Sequence, residues 1–166
     1  MTPATPLDRF HEEMATLNGP MVVVTARHDA LRAGCLVGFH TQVSIEPAHY
    51  LVCLSVKNHT YAAASLSSHL AVHFLRDDQT ALAKRFGGSC SAEVDKFAGL
   101  DTREGVGGAV VLHDCAHWFV GEVLGNLALG DHVAFGLRPV DSGGARDGAT
   151  LLGYQRVKDI EAGHPA

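Results

Sequence analysis

The sequence predicts a mainly β domain, a β-barrel carrying a few short helices. Apolar, β-branched runs such as Met21–Ala26 are short and recur along the chain. Glycine-rich connections separate the later ones. They do not alternate with long amphipathic helices, which disfavours a doubly wound parallel sheet and favours a closed antiparallel one.

Taken in order, Leu7, Phe10, Met14 and Leu17 recur at helical spacing until Asn18-Gly19. That predicts an N-terminal helix over 6–18 with one apolar face. Pro20 opens the strand Met21–Ala26, Arg27–Ala33 reads as a hairpin loop, and Gly34–His40 is the next strand. Thr41–Ser44 continues extended, and Glu46-Pro47 turns the chain into a strand over Tyr50–Val56. A short helix over Thr60–Leu66 and a strand over Leu70–Leu75 follow. Asp77 or Asp78 is the expected cap of a helix that runs to Phe86 and stops at Gly87-Gly88. Ser91–Phe97 reads as another short helix and 99–108 as loop. Strands over Ala109–Leu112, Trp118–Leu124, Val133–Val140 and Leu151–Val157 bring the total to about seven or eight. Asp159–Ala166 is expected as a loose tail. The chain reads as a single domain over 1–166, with its core at about 19–157.

The 166 residues, 46% hydrophobic and 19% charged, suffice for one full core. A net charge of −5 with scattered basic residues gives no electrostatic basis for binding nucleic acid or an anionic membrane. No apolar segment approaches the roughly 20 residues that span a bilayer. The first residues lack the basic and apolar regions of a signal peptide, so a cytoplasmic setting is expected. Cys35, Cys53, Cys90 and Cys115 include no Cys-x-x-Cys pair, and neither disulfides nor a structural zinc is expected. The 11 histidines form no ligand motif, so no metal is expected and a metal-binding module is the lesser reading.

Nucleotide signatures are absent: there is no Gly-x-Gly-x-x-Gly between strand and helix, and no Walker loop or Gly-x-Ser-x-Gly elbow. What remains is binding along strand edges. A flat, phosphorylated cofactor such as a flavin nucleotide suits the stretch from Gly34 to Tyr61. Leu36, Val37, Gly38, Thr41 and Gln42 are candidates to line its ring and ribityl chain, with Gly38 allowing close approach. Lys57, Asn58 and Thr60 stand where a strand stops and a helix starts, a natural phosphate site. Arg85 with Phe86 is a further candidate for phosphate contact and packing, and His132 for contact with a second substrate. Singly, each has a plainer reading: a solvated turn for Lys57 and Asn58, an N-cap for Thr60, a bulge for Gly38 and an outward strand residue for Gln42. Arg85 and Phe86 also fit surface and core, and His132 a turn.

The order of these motifs resembles the flavin reductase-like family, FMN-binding split β-barrels that include the reductase components of two-component flavin monooxygenases. The matching pieces are Val22–Thr25, Ser44–Pro47 with Leu51–Leu54, Asn58–Thr60, Leu82–Gly87, Asp95–Phe97 and Gly130–His132, within residues 19–157. The resemblance implies a homodimer that binds FMN, with FAD possible, near the subunit interface. It implies NADH or NADPH as co-substrate, its nicotinamide stacking on the flavin, and His132 close to both as the catalytic-site residue that positions them. Reduced flavin would then go to a partner flavin-dependent monooxygenase. The alternative is a non-catalytic flavin- or haem-binding protein on the same barrel. The chain departs from the family at Ala33–Phe39, where hydroxyl side chains are missing, at Gln42, at Pro47-Ala48 and at Leu152–Tyr154.

Overall fold

The computed structural model describes residues 4–88, 94–144 and 148–163. Helix α1 (Pro6–Ala15) starts at a reciprocal cap: Asp8 N–H donates to Thr5 Oγ1 at 3.2 Å, and Thr5 N–H donates to the Asp8 carboxylate at 2.8 Å. Four strands follow, β1 (Val22–His28), β2 (Leu31–Val37), β3 (His40–Ile45) and β4 (Ala48–Ser55). Then come α2 (His59–Leu66), β5 (His69–Phe74), α3 (Thr80–Gly87), β6 (Thr102–Glu104), β7 (Val110–Leu112), β8 (His117–Leu129) and β9 (His132–Gly143).

Seven strands form one antiparallel sheet in the order β2-β1-β5-β8-β9-β4-β3. Its two outermost strands, β2 and β3, are consecutive in the chain and joined only by Gly38 and Phe39. The sheet therefore curls, and the Phe39 carbonyl accepts the Cys53 N–H at 2.9 Å, which carries the β3–β4 ladder into the strap. Inside lie Val22, Val24, Val52, Leu54, Val72 and Phe135. A second layer packs outside β1, with Met21, Val23, Leu75, Phe86, Phe97 and Leu152. Strand β1 is thus covered on both faces, which is why it reads as an unbroken apolar run rather than an alternating one. Each such valine contributes on the order of 1.5–3 kcal/mol by leaving water.

The β6–β7 hairpin docks on this sheet through two buried polar side chains. Thr25 Oγ1 donates to the Val110 carbonyl at 2.5 Å. His73 Nδ1–H donates to the Val23 carbonyl at 3.0 Å, and its Nε2 accepts the Leu112 N–H at 3.0 Å. Burial pushes the His73 imidazole down to about 4, which keeps it neutral. Lys96, also buried, donates to the Gly34 and Phe86 carbonyls at 3.1 and 3.0 Å and so ties the 95–97 turn to β2 and α3.

Several expectations are corrected. Leu151–Val157 is not a strand: Leu151 and Gly153 make isolated bridges, and a 3-10 turn spans Tyr154–Arg156. Leu152 is buried there as an anchor, accepting the Met21 N–H at 2.7 Å. The 99–108 loop contains β6 and a 3-10 turn, in which Gly107 and Gly108 take positive φ. The N-cap position of α3 is Gln79 rather than Asp77 or Asp78, and its side chain caps nothing: its Oε1 accepts the Arg76 N–H at 2.9 Å, while Asp78 pairs with Arg76 at 3.1 Å. Helix α1 ends at Ala15, earlier than expected, and its Leu7, Phe10 and Met14 face solvent. The expected helix over Ser91–Phe97 falls partly outside the described residues, and Val94–Phe97 forms bend and turn. Ile160, in the supposed tail, packs against the second layer, and Gly163 N–H donates to the Gly87 carbonyl at 3.1 Å. Among the described residues no helix is long and apolar enough to cross a membrane.

Candidate active site

Three connections converge at one end of the barrel. The first is the Gly38-Phe39 strap between β2 and β3, the second the turn Val56–Asn58 between β4 and α2, and the third the hairpin turn Gly130-Asp131 between β8 and β9. Gly130 takes φ +69°, the left-handed conformation such a turn requires. The Val56 N–H donates to the Asp131 carbonyl at 3.0 Å, and the Phe39 ring meets the His132 ring edge-on at 5.2 Å. His132 Nδ1 lies 2.8 Å from the Asp131 carboxylate. That hydrogen bond first, then the charges of His132 and Lys57, hold the Asp131 carboxyl below the usual carboxylate range.

The strap is held from the inner side as well. His40 Nε2–H donates to the Pro20 carbonyl at 2.7 Å, and Nδ1 accepts the Tyr50 hydroxyl at 2.6 Å. Burial lowers the His40 pKa, only partly opposed by the Pro20 bond, and pushes Tyr50 up to about 12. Both therefore act as neutral hydrogen-bonding groups.

The sequence-predicted residues divide. Gly38, Thr41 and Gln42 are exposed along the strap and β3. The Gln42 amide is engaged by the Ser44 carbonyl at 3.0 Å. Lys57 is exposed, and Asn58 caps α2 by accepting the Thr60 N–H at 2.9 Å. Three of these residues turn their side chains inward. Thr60 is 0% exposed, and among the described residues its hydroxyl has no hydrogen-bond partner beyond the weak thiol of Cys35. Val37 lies inside the barrel, and Phe86, 1% exposed, packs against Phe97. Leu36 faces the second layer and is half-buried. Arg85 donates to the Ala98 carbonyl at 2.5 Å and lines a separate cleft of about 380 Å³ with Arg76, Asp78, Leu100, Asp101 and Asp114. No residue of β2, β3 or the β4–α2 turn lines that cleft.

Reading the sequence missed Phe39, His40 and Tyr50, whereas Asp131 stood in the Gly130–His132 piece. A large aromatic at 65% exposure, in the middle of the segment assigned to a planar ring, was the available signal for Phe39. His40 and Tyr50 gave none, because their pairing depends on the β3–β4 register, in which Gln42 faces Tyr50 and His40 faces Val52.

The donor set fits a phosphorylated planar group. Lys57 supplies positive charge, and α2 presents its N-terminal dipole end beside it. Strand β3, as a sheet edge, leaves one row of main-chain donors and acceptors unpaired by other strands. Residues 14–160 match the flavin reductase like domain family. The chain belongs to that family. A relative from Rhodococcus opacus, the reductase component of a 4-nitrophenol 4-monooxygenase/4-nitrocatechol 2-monooxygenase, is 33% identical over 56% of this chain and 50% of its own length. The FMN reductase (NADH) RutF of Variovorax paradoxus is 30% identical over 78% of this chain and 72% of its own. Some matches to curated flavin reductases span half of the relative or less, as little as 36% for one from Rhizobium meliloti. The fold itself recurs in a flavin reductase domain protein from Arthrobacter, with TM-score 0.80, 20% identity and 95% and 94% of the two chains covered.

Proposed function

We propose that this chain is an NAD(P)H:flavin oxidoreductase that binds FMN, with FAD as the other candidate, and supplies reduced flavin to a flavin-dependent monooxygenase. The observation that carries this reading is the convergence of Lys57, the α2 N-terminus, the β3 edge and the Asp131-held His132 at one barrel end, in a chain of this family. A bound flavin nucleotide would supply the two-electron acceptor for the dinucleotide's hydride. Lys57 and the start of α2 hold the phosphate charge, and the Gly38–Gln42 backbone borders the ring. His132 orients the nicotinamide, a positioning duty that hydride transfer rewards through proximity rather than proton transfer. The partner reading rests on relatives whose names describe reductase components of monooxygenases. A homodimer is supported by the apolar side chains left in solvent on β3 and the β8–β9 hairpin, among them Ile45 at 83% and Leu127 at 62% exposure.

The deciding experiment is an absorbance spectrum of the FMN-reconstituted protein under anaerobic NADH and then NADPH. Bleaching of the flavin band within seconds by either is expected. A yellow protein that neither dinucleotide bleaches would instead be a flavin carrier.

A further inference from the structure

The cleft of about 380 Å³ beside α3 is lined by no residue of the strap, the β4–α2 turn or the β8–β9 hairpin. That volume falls at the lower end of the range for small-molecule sites. Its floor is apolar: Leu112, 3% exposed, lies there with Leu82 and Leu100, which are half-buried at the margin of the second layer. One polar wall is rigid. Buried Gln79 uses both ends of its amide within it, Oε1 accepting the Arg76 N–H at 2.9 Å and Nε2 donating to the Asp114 carbonyl. Arg76 closes the same wall, donating from Nε to Asp78 at 3.1 Å and from Nη1 to Asp114 at 2.7 Å. Two charges are left over. Arg85 is steadied by the Ala98 carbonyl at 2.5 Å, which occupies one of its N–H groups and neutralises none of its charge. Asp101 is fixed through its main chain, whose carbonyl accepts the His113 N–H at 3.1 Å, and its carboxylate is exposed. Among the described residues Arg85 has no carboxylate partner and Asp101 no basic one. Ala98 and Asp101 are three residues apart around a turn, which keeps the guanidinium and the carboxylate near each other above the leucine floor.

Charge selects the class of ligand. Two arginines and three aspartates line the cleft, a net charge of −1, which disfavours a simple carboxylic acid or a phosphate. A simple amine would leave the Arg85 fork without its counter-ion as water is displaced. A zwitterion with an apolar side chain meets both ends and the floor. We propose that this cleft binds a free α-amino acid with an apolar side chain of about leucine size: Arg85 takes the α-carboxylate, Asp101 the α-ammonium, and Leu82, Leu100 and Leu112 the side chain. Asp114, held by Arg76, adds negative potential on the ammonium side. The site is separate from the reductase reading and does not depend on it.

The test titrates L-leucine into the full-length chain and follows ¹H–¹⁵N amide shifts. Saturable shifts are expected at Leu82, Arg85, Leu100 and Asp101, with a Kd on the order of 1 mM for so small a ligand, while Gly38, Phe39 and Lys57 stay in place. Two analogues separate the charges: 4-methylpentanoate lacks the ammonium and 3-methylbutylamine lacks the carboxylate. Each binds at least about tenfold more weakly than leucine. Asp101→Asn should erase the preference for leucine over 4-methylpentanoate, and Arg85→Gln the preference over 3-methylbutylamine. Both residues are at the surface, and unchanged dispersion of the remaining amide signals shows that each variant is folded. The FMN Kd stays within about twofold in both variants. The absence of saturable shifts up to about fifty times the expected Kd overturns the proposal. So does an analogue that binds the native protein as tightly as leucine, or a preference that survives both substitutions. A loss of FMN affinity of about tenfold in Arg85→Gln would give the guanidinium to the flavin phosphate and overturn it as well.

Discussion

Thr60 and Lys57 are three residues apart and have opposite fates. The Thr60 hydroxyl is sealed inside the barrel mouth beside Cys35, whose thiol burial pushes up to about 11. A buried hydroxyl without a good partner is a small liability, on the order of 1 kcal/mol. Thr60→Val should therefore leave flavin affinity within twofold and raise the melting temperature slightly, measured by flavin titration and calorimetry. Lys57→Ala removes the charge meant for the phosphate and should weaken FMN binding about tenfold, close to 1.4 kcal/mol, with no change in melting temperature. Equal effects of the two substitutions would mean that the phosphate sits elsewhere. The same contrast shows why sequence order alone could not separate them. Both stand where a strand ends and a helix begins, and only the rotation of α2, which turns Ala63 and Ala64 inward along with Thr60, decides which side chain meets solvent. Helix α3 likewise rolls Phe86 onto Phe97 and the face of Gly34, the packing expected of it.

At the scale of elements, the strands with strong periodicity were legible: Met21–Ala26, Tyr50–Val56 and Leu70–Leu75 lie within a residue or two of β1, β4 and β5. Short polar β6, Thr102-Arg-Glu104, carried no apolar signal and was invisible. Leu151–Val157 looked like a strand because buried coil and strand share composition; Leu152 is anchored by main-chain bonds to Met21 and Leu75 without joining the sheet. The docking of the β6–β7 hairpin depends on His73, and this gives a pH signature. Its folded pKa of about 4 lies below the ordinary histidine value of 6.5. The unfolded chain therefore takes up a proton below pH 6.5 while the folded chain does not until about 4. The stabilisation is complete above 6.5 and declines as pH falls towards 4, by up to about 3 kcal/mol. Urea unfolding at pH 7.5 and 5.0 should show that decline in the native protein, and His73→Gln should flatten it. An equal pH slope in both proteins would remove His73 from the account.

For the whole molecule, apolar side chains at Phe39, Val43, Ile45, Leu124, Leu127 and Leu129 lie on β3, the strap before it and the β8–β9 hairpin. A monomer seldom leaves so many in water on neighbouring elements. A second copy covering them buries both sets at once through a two-fold contact. If the proposed dimer forms there, Leu127→Asp should yield a monomer in size-exclusion chromatography with light scattering, and FMN affinity should fall with it if the flavin lies near that contact. A native protein that elutes as a monomer at high micromolar concentration would reject this assembly.

The two-residue strap has one more consequence. Its flanking strands are chain neighbours but the farthest apart in the sheet, so the seam can shut only after five intervening strands have found their places. Barrel closure is thus a late event with a large loop-entropy cost. The end that carries the strap is accordingly the last region to take shape and the first to loosen. A fragment ending before Gly143 would lack part of the wall that brings the lips together. If the proposed flavin site lies there, uptake of the yellow ligand would be a sensitive report on whether the entire chain has finished folding.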